Sequence, residues 1–260
     1  MELRTRIIPC LQVRNGSLVK TRQFGKFGYI GDPANTCRIF NECEVDELAI
    51  VDITATTDGR GPDLELLTEL AEECFMPVAY GGGITTVHQA EQILRLGMEK
   101  VIIGSAAYEN SALLTEISAA FGAQCLVVAI DVKTRWLRGK TCHARSGKKS
   151  MGRNPVEWAR RVQDAGAGEI LLTSVDREGT WDGFDHDLIA SVASAVDIPV
   201  IAHGGAGQKA DIVRAVNESG ASAVALGNMV VYQKRDMGVL VNFLSDAEQA
   251  EMGLGAAQHG

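Results

Sequence analysis

A carboxylate that directly follows a short apolar run is the residue in this sequence best suited to chemistry. Asp131 ends the run from Cys125 to Asp131. A partly buried carboxylate at such a position can act as general acid or base once its pKa rises toward neutrality. We identify Asp131 as the catalytic candidate, with the alternative that it only caps N–H groups of the following loop. Other charged residues after apolar runs are Lys20, Asp52, Asp176 and Glu178.

Glycine-rich turns form a second kind of candidate site. Gly81-Gly-Gly pairs with Gly104-Ser105, and His203-Gly-Gly pairs with Gly227-Asn228. Such turns let backbone N–H groups approach a phosphate closely, so two pairs predict a substrate with two phosphates. The alternative is that the glycines only relieve crowding at tight turns. The predicted phosphate-binding residues are Gly82, Gly83, Gly104, Ser105, Gly179, Gly204, Gly205, Gly227 and Asn228.

Short apolar runs alternate with longer amphipathic stretches, which is typical of repeated β-strand and α-helix units. With 260 residues, the pattern predicts an α/β protein, a single (β/α)₈ TIM barrel whose site lies at the carboxyl ends of its strands. The predicted strands are Ile7 to Val13, Glu47 to Ile53, Pro77 to Tyr80, Lys100 to Gly104, Cys125 to Asp131, Glu169 to Ser174, Pro199 to Ala202 and Ala223 to Leu226.

Helices are predicted between the strands, for example Asp63 to Cys74, Thr86 to Leu96, Pro155 to Ala165 and Ala210 to Ser219. The basic stretch from Lys133 to Asn154 interrupts the pattern and predicts a hairpin or a mobile loop. We expect residues 1–250 to form the barrel and residues 251–260 to be a disordered tail.

An internal repeat predicts twofold pseudo-symmetry between two half-barrels. The segment that begins Met76-Pro-Val-Ala-Tyr matches the one that begins Ile198-Pro-Val-Ile-Ala, at an offset of 122 residues. The same relation places Gln12 in the half-barrel opposite Asp131. An amide cannot exchange a proton usefully, so a reaction that needs two opposed carboxylates lacks one partner here.

Charged residues of alternating sign stand at or beside the starts of four predicted strands: Arg6, Glu47, Lys100 and Glu169. They predict a salt-bridged ring around the barrel axis at the amino-terminal face. The default interpretation is stability, but a ring that opens would also be a gate.

Composition excludes several classes of function. The formal net charge of −8 argues against a broad nucleic-acid surface. The sequence contains neither an 18-residue apolar run nor a signal-peptide core, so we expect a cytoplasmic protein without membrane contact. The six cysteines and five histidines lack zinc-like spacing, and neither a metal nor an organic cofactor is implied.

Several of these motifs resemble the cyclase subunit of imidazole glycerol phosphate synthase, from about residue 4 to 235. The resemblance rests on Arg6-Ile-Ile-Pro-Cys-Leu, Val51-Asp-Ile-Thr-Ala, Gly81-Gly-Gly-Ile, Ala129-Ile-Asp, Ser146-Gly-Lys-Lys and the segment 168–180. It implies a lyase that joins a two-phosphate ribonucleotide to ammonia, which a glutaminase docked at the amino-terminal face supplies through the barrel. It implies that Asp131 is the catalytic acid, that Arg6, Glu47, Lys100 and Glu169 are the ammonia gate, and that Glu99 lies at the interface. The substrate mouth would contain Lys20, Asp52, Ser146, Thr173 and Asp176.

The sequence departs from this family at its catalytic base. The family pattern reads Cys-Leu-Asp-Val, and this sequence has Gln12 in place of that Asp. Gly104 replaces the usual Asn, and His203 replaces a Ser. The stretches that begin at Phe40, Glu73 and Asn154 more closely resemble second copies of the subunit in surface-polysaccharide clusters. The resemblance implies that such copies supply ammonia, together with a glutaminase-like protein, to a separate amidotransferase that forms an acetamidino group on a sugar.

Three hypotheses remain open from the sequence. The leading one is a specialised copy that keeps the ammonia conduit and a phosphate-rich mouth but lacks the full acid/base pair. The second is a working cyclase of histidine biosynthesis, which forms imidazole glycerol phosphate while water or another carboxylate replaces the base. The third is a non-catalytic scaffold that activates the glutaminase.

Overall fold

A computed structural model describes residues 5–137 and 139–254 of the chain. In that part, the strands are β1 Arg6–Arg14, β2 Ser17–Thr21, β3 Phe27–Gly31, β4 Leu48–Asp52, β5 Val78–Gly81, β6 Lys100–Ile103, β7 Leu126–Arg135, β8 Gly139–Ala144, β9 Lys149–Ser150, β10 Glu169–Ser174, β11 Val200–His203 and β12 Ala223–Leu226. The helices are α1 Pro33–Glu42, α2 Leu64–Glu73, α3 Val87–Arg95, α4 Ser105–Glu109, α5 Ala112–Phe121, α6 Pro155–Asp164, α7 His186–Ala193, α8 Lys209–Asn217, α9 Asn228–Val231 and α10 Asp246–Glu251.

Eight strands pair in parallel and close into a barrel. The order is β1, β4, β5, β6, β7, β10, β11 and β12, and β12 pairs again with β1. At least one helix follows each of these strands before the next begins. The predicted (β/α)₈ barrel is confirmed, and each of the eight predicted strands overlaps one of its strands.

Two antiparallel hairpins extend the barrel at its carboxyl end. β2 and β3 extend β1, while β8 and β9 extend β7. The stretch from Lys133 to Asn154 was predicted to be a hairpin or a mobile loop, and the structure shows the hairpin. The first hairpin was not predicted. Because β1 and β7 each begin a half-barrel, the paired hairpins repeat the twofold relation of the sequence.

The apolar core has two parts. The larger one fills the space between the barrel and its helices, with Phe40, Leu67, Ile93 and Ile170 fully buried. The smaller one lies inside the barrel and combines small side chains with an equal number of larger aliphatic ones. The small residues inside the barrel are Cys10, Ala49, Ala79, Ala129, Ala223 and Ala225.

Residues 252–254, which follow α10, pack back onto the barrel. Met252 and Leu254 are buried, and the N–H of Thr5 donates to the carbonyl of Leu254 over 3.4 Å. Residues 1–4, 138 and 255–260 lie outside the described residues, so the rest of the predicted tail stays a prediction. No helix in the described ranges has the length and apolar content needed to cross a membrane.

Candidate functional site

The carboxyl ends of the barrel strands surround a cavity of about 150 Å³. Parallel strands of a barrel all end at one face, so side chains far apart in sequence meet there. The predicted residues that line this cavity are Gln12, Asp52, Asp131, Ser146 and Thr173, together with Gly82, Gly83, Gly104 and Ser105.

Asp131 lies on β7 beside Thr173 of β10, where the two residues pair in register. Its carboxyl group is half-buried, and removal from water raises its pKa to about 7. A hydrogen bond from Thr173 and the charge of Lys133 oppose this shift, whereas the charge of Glu178 adds to it. Asp131 can therefore hold or release a proton near neutral pH.

We expect Asp131→Asn to stabilise the protein above pH 7 and to leave its stability unchanged near pH 4. The unfolded carboxyl ionises near pH 4 and the folded one near pH 7, so native stability falls as pH rises through this window and is then constant. After a discount for partial exposure, the gain is about 2–3 kcal/mol, since one pKa unit corresponds to about 1.4 kcal/mol. Urea denaturation of both proteins at pH 4, 6 and 8 measures it. An equal difference in the free energy of unfolding between the two proteins at all three pH values would contradict a raised pKa for Asp131.

Gln12 is held by the neighbouring hairpin and by a buried glutamate. Its Oε1 accepts from the N–H of Thr21 over 2.8 Å, and its Nε2 donates to Glu178 Oε1 over 3.3 Å. Glu178 also forms a buried ion pair with Lys20. The Gln12 amide therefore belongs to a hydrogen-bond network with Thr21 and Glu178. A carboxylate at residue 12 would instead face the carboxylate of Glu178 directly.

Glu178 was noted in the sequence only as a carboxylate after a strand, without a role. The structure places it at 1% exposure, where it accepts from the Thr21 hydroxyl over 3.0 Å and from the N–H of Phe24 over 3.1 Å. Both carboxylate oxygens thus have donors, so Glu178 fixes the first hairpin against the barrel. Its position in Asp-Arg-Glu-Gly after β10 was the available signal, but its partners are more than 150 residues away in sequence.

The two glycine motifs occupy equivalent positions in the half-barrels. A Cβ on Gly82 would lie 2.7 Å from the carbonyl oxygen of Asp52, and one on Gly204 would lie 2.6 Å from that of Ser174. Both glycines also have positive φ angles, which residues other than glycine rarely adopt. The close carbonyl oxygens and the φ angles are enough to require glycine at these positions. The crowding alternative therefore holds for these two residues, and it is compatible with phosphate binding on the open side of the turns.

The second motif lines a separate small cavity. Its residues there are His203, Gly204, Gly205, Gly227 and Asn228, and Lys20, Glu178 and the predicted phosphate-binding residue Gly179 border the same space. Gly104 and Gly227, which precede α4 and α9, have nearly the same backbone angles. The structure thus gathers each predicted phosphate set in one place, on opposite sides of the mouth.

Three predicted mouth residues form hydrogen bonds with backbone groups. Asp52 accepts from the N–H groups of Thr54 and Ala55 over 2.8 and 2.9 Å, and the Ser146 hydroxyl donates to the carbonyl of Ile53 over 2.6 Å. Asp176 accepts from the N–H of Thr134 over 2.6 Å and borders none of the cavities described here. Asp52 and Ser146 therefore shape the mouth, whereas Asp176 holds the second hairpin.

The four charged residues of alternating sign form a ring at the opposite face. Arg6 donates to Glu47 over 2.5 Å and to Glu169 over 2.6 Å, while Lys100 donates to the same two carboxylates over 3.0 and 3.1 Å. The Glu47 and Lys100 side chains are only 4% and 10% exposed, and Glu99 beside them is exposed. The ring closes the amino-terminal end of the barrel axis.

Comparison with known proteins adds to this geometry. The family model described as "Histidine biosynthesis protein" matches residues 6–236. The chain is 43% identical over 251 residues to the imidazole glycerol phosphate synthase subunit hisF2 of Pseudomonas aeruginosa, covering 96% of this chain and all of that protein. It is 41% identical over 248 residues to the subunit hisF3 of Vibrio vulnificus, covering 95% of both. These two subunit names are provisional.

A synthase subunit without such a provisional name matches equally well. The subunit HisF of Caulobacter vibrioides is 42% identical over 253 residues, covering 94% of this chain and 95% of that protein. Because the identities are so similar, overall likeness does not separate a second copy from a pathway enzyme. Individual residues of the mouth must make that distinction.

Proposed function

The chain belongs to the family of histidine biosynthesis proteins, and from this premise we propose that it is the synthase subunit of a two-component glutamine amidotransferase. A separate glutaminase supplies the ammonia. Relatives of 41–43% identity are named as subunits of imidazole glycerol phosphate synthase, which supports a partner subunit for this chain. The phosphorylated ligand of the proposed mouth lies between the two glycine motifs.

The barrel axis offers a route for the ammonia. The ring of Arg6, Glu47, Lys100 and Glu169 stands at its amino-terminal end, and apolar side chains, half of them small, line the inside of the barrel. Neutral ammonia crosses an apolar barrel interior at a far lower desolvation cost than the ammonium ion does. The glutaminase docks at the ring, beside the exposed Glu99, and the ring is the gate.

Gln12 carries the proposal that this chain is a specialised copy. Its amide fills the position opposite Asp131 and is held by Thr21 and Glu178, so no side chain at that position can take a proton. Such a copy passes ammonia to an acceptor other than the ribonucleotide. Surface-polysaccharide synthesis, in which a separate amidotransferase modifies a sugar, is the context that we propose.

Direct assay of the native protein tests the specialised-copy proposal. Ammonium salt and the two-phosphate ribonucleotide are supplied to purified protein, and imidazole glycerol phosphate is measured. We expect turnover far below ordinary enzyme rates. Turnover at ordinary rates would overturn the proposal and support a histidine-pathway cyclase, which the near-neutral pKa of Asp131 favours.

The gate is tested by nitrogen transfer in the complex with the glutaminase. The complex is supplied with ¹⁵N-amide glutamine and with unlabelled ammonium. We expect Lys100→Ala to lower the fraction of the product that contains ¹⁵N, since less ammonia would then reach the acceptor from the glutaminase. The measurement uses the Gln12→Asp background with the ribonucleotide as acceptor. Arg214→Ala, which breaks an exposed ion pair, is the control. An unchanged share in Lys100→Ala and in Glu169→Ala would support the third hypothesis, a scaffold that only activates the glutaminase.

A further inference from the structure

A hydroxyl group joins two titratable side chains across the mouth. Thr173, which is 2% exposed, donates its hydroxyl to Asp131 on one side. On the other side its Oγ1 lies 3.1 Å from Nδ1 of His203. The three residues belong to neighbouring strands β7, β10 and β11, so the barrel itself sets their spacing.

The remaining ring nitrogen of His203 is available to a ligand. Among the described residues, Nε2 of His203 has no hydrogen-bond partner. The side chain borders both the main cavity and the small cavity that contains Gly204 and Gly205. His203 therefore stands between Asp131 and the second predicted phosphate site.

The shared hydroxyl links the protonation of Asp131 to the tautomer of His203. When Asp131 is ionised, it accepts from Thr173, whose oxygen then accepts from Nδ1–H of His203. When Asp131 is protonated, it donates to Thr173, whose hydroxyl then donates to Nδ1, so His203 carries its hydrogen on Nε2. One hydroxyl hydrogen cannot serve both neighbours, so the two states alternate.

We propose that Asp131, Thr173 and His203 form a proton relay that delivers a proton to a ligand atom bound beside Gly204 and Gly205. The Asp131 O–H bond breaks as its proton passes to Thr173 Oγ1, the Thr173 proton passes to His203 Nδ1, and the Nε2 proton passes to the ligand. Asp131 becomes a carboxylate and His203 stays neutral. The relay does not include Gln12, and it does not depend on the identity of the acceptor.

The charges near the relay permit this exchange. Burial lowers the pKa of His203 to about 4, so the ring stays neutral while Asp131 titrates near pH 7. Lys20 lowers the pKa of His203 and Glu178 raises it, and these two residues form an ion pair with each other. The other titratable groups near Asp131 are Lys133, Cys10, Cys142, Tyr108 and His143, which pairs with Asp131 in register. Burial raises the pKa of both cysteines and of the tyrosine away from this range, and it lowers the pKa of His143.

Nitrogen NMR of ¹⁵N-histidine-labelled full-length protein tests the relay without a substrate. Between pH 5 and 9, we expect the two ring-nitrogen signals of His203 to exchange between the two neutral tautomers, with a midpoint near pH 7. The His203→Asn variant assigns the signals. A titration of His203 to its cation near pH 6.5, or tautomer populations that do not change with pH, would overturn the proposal.

Two variants separate the relay from a merely structural contact. Thr173→Val should abolish the tautomer change, whereas Thr173→Ser, which keeps the hydroxyl, should retain it. If Thr173→Val does not fold, Asp131→Asn serves instead and must also abolish the midpoint near pH 7. Inorganic phosphate at saturating concentration should shift the Nε2 signal, because a phosphate at Gly204 and Gly205 accepts from Nε2–H. A tautomer change that survives Asp131→Asn, or an Nε2 signal that ignores phosphate, would contradict the relay.

Discussion

Gln12→Asp should raise the rate at which the protein converts ammonium and the two-phosphate ribonucleotide by about 10²–10⁴-fold, the usual contribution of a general acid or base. The substitution restores a carboxylate opposite Asp131 while the rest of the mouth is unchanged. Product formation under single-turnover conditions measures the gain. The gain should peak near pH 7, where the new carboxylate is ionised while Asp131 still carries its proton in part of the molecules.

The environment of residue 12 limits that gain. A carboxylate there lies beside Glu178, whose Oε1 is 3.3 Å from the present amide nitrogen, and two adjacent carboxylates do not both ionise easily. Lys20 is the nearby cation that offsets the repulsion. The rising limb of the pH–rate profile should therefore lie at a higher pH than the ionisation of an ordinary aspartate would give, and the falling limb reports the loss of the Asp131 proton.

Gln12→Asn is the matched control for Gln12→Asp, because Asn has the size of Asp and cannot take a proton. We expect no gain from Asn. An equal gain from both substitutions would assign the effect to space in the mouth rather than to proton transfer. Absence of any gain from Asp would mean that Gln12 is not what limits cyclase chemistry in this chain.

Glu47→Ala should lower the free energy of unfolding by about 3–5 kcal/mol, the cost of removing one partner from a buried ion pair. Glu47 contacts both cations of the ring, so the substitution leaves Arg6 and Lys100 facing Glu169 alone. The two cations then lie close together with half of their compensating charge. Urea denaturation at pH 7 measures the loss.

Glu218→Ala provides the comparison for Glu47→Ala. Glu218 pairs with Arg214 over 2.9 Å at the surface, where both side chains are more than half exposed. Exposed pairs contribute about 0–1 kcal/mol, so this variant should unfold almost as the native protein does. A loss below about 1 kcal/mol for Glu47→Ala would show that water reaches the ring and screens it.

The sequence predicted the barrel because parallel strands buried on both faces leave a strong local signal. After Lys100 and from Ala223, the chain has continuous apolar segments of the length of a strand, and the internal repeat predicted the twofold relation of the half-barrels. The first hairpin left no such signal. Three of the five residues of β3 are exposed, and the strand is stabilised by pairing with β2 rather than by its own apolar pattern.

The site could be predicted only in part for a related reason. Asp131 was identified because it ends a strand, and all strand ends lie at the same face. Gln12 was identified from its position opposite Asp131, and Thr173 only because the family resemblance implies it. The hydrogen bond that links Thr173 with His203 joins residues 30 positions apart, and the one that links Thr21 with Glu178 joins residues 157 apart. Such contacts follow from barrel closure and loop conformation, which no local pattern encodes.

The charged ring and the mouth occupy opposite ends of the axis, and in the described part of the chain no hydrogen bond or ion pair links a ring side chain to Gln12, Asp131 or His203. Substitutions at separated sites without shared contacts usually have additive effects. After a gene duplication, the residues of the mouth can therefore change while those of the charged ring stay the same. New acceptor chemistry then arises without a new way to recognise the nitrogen donor.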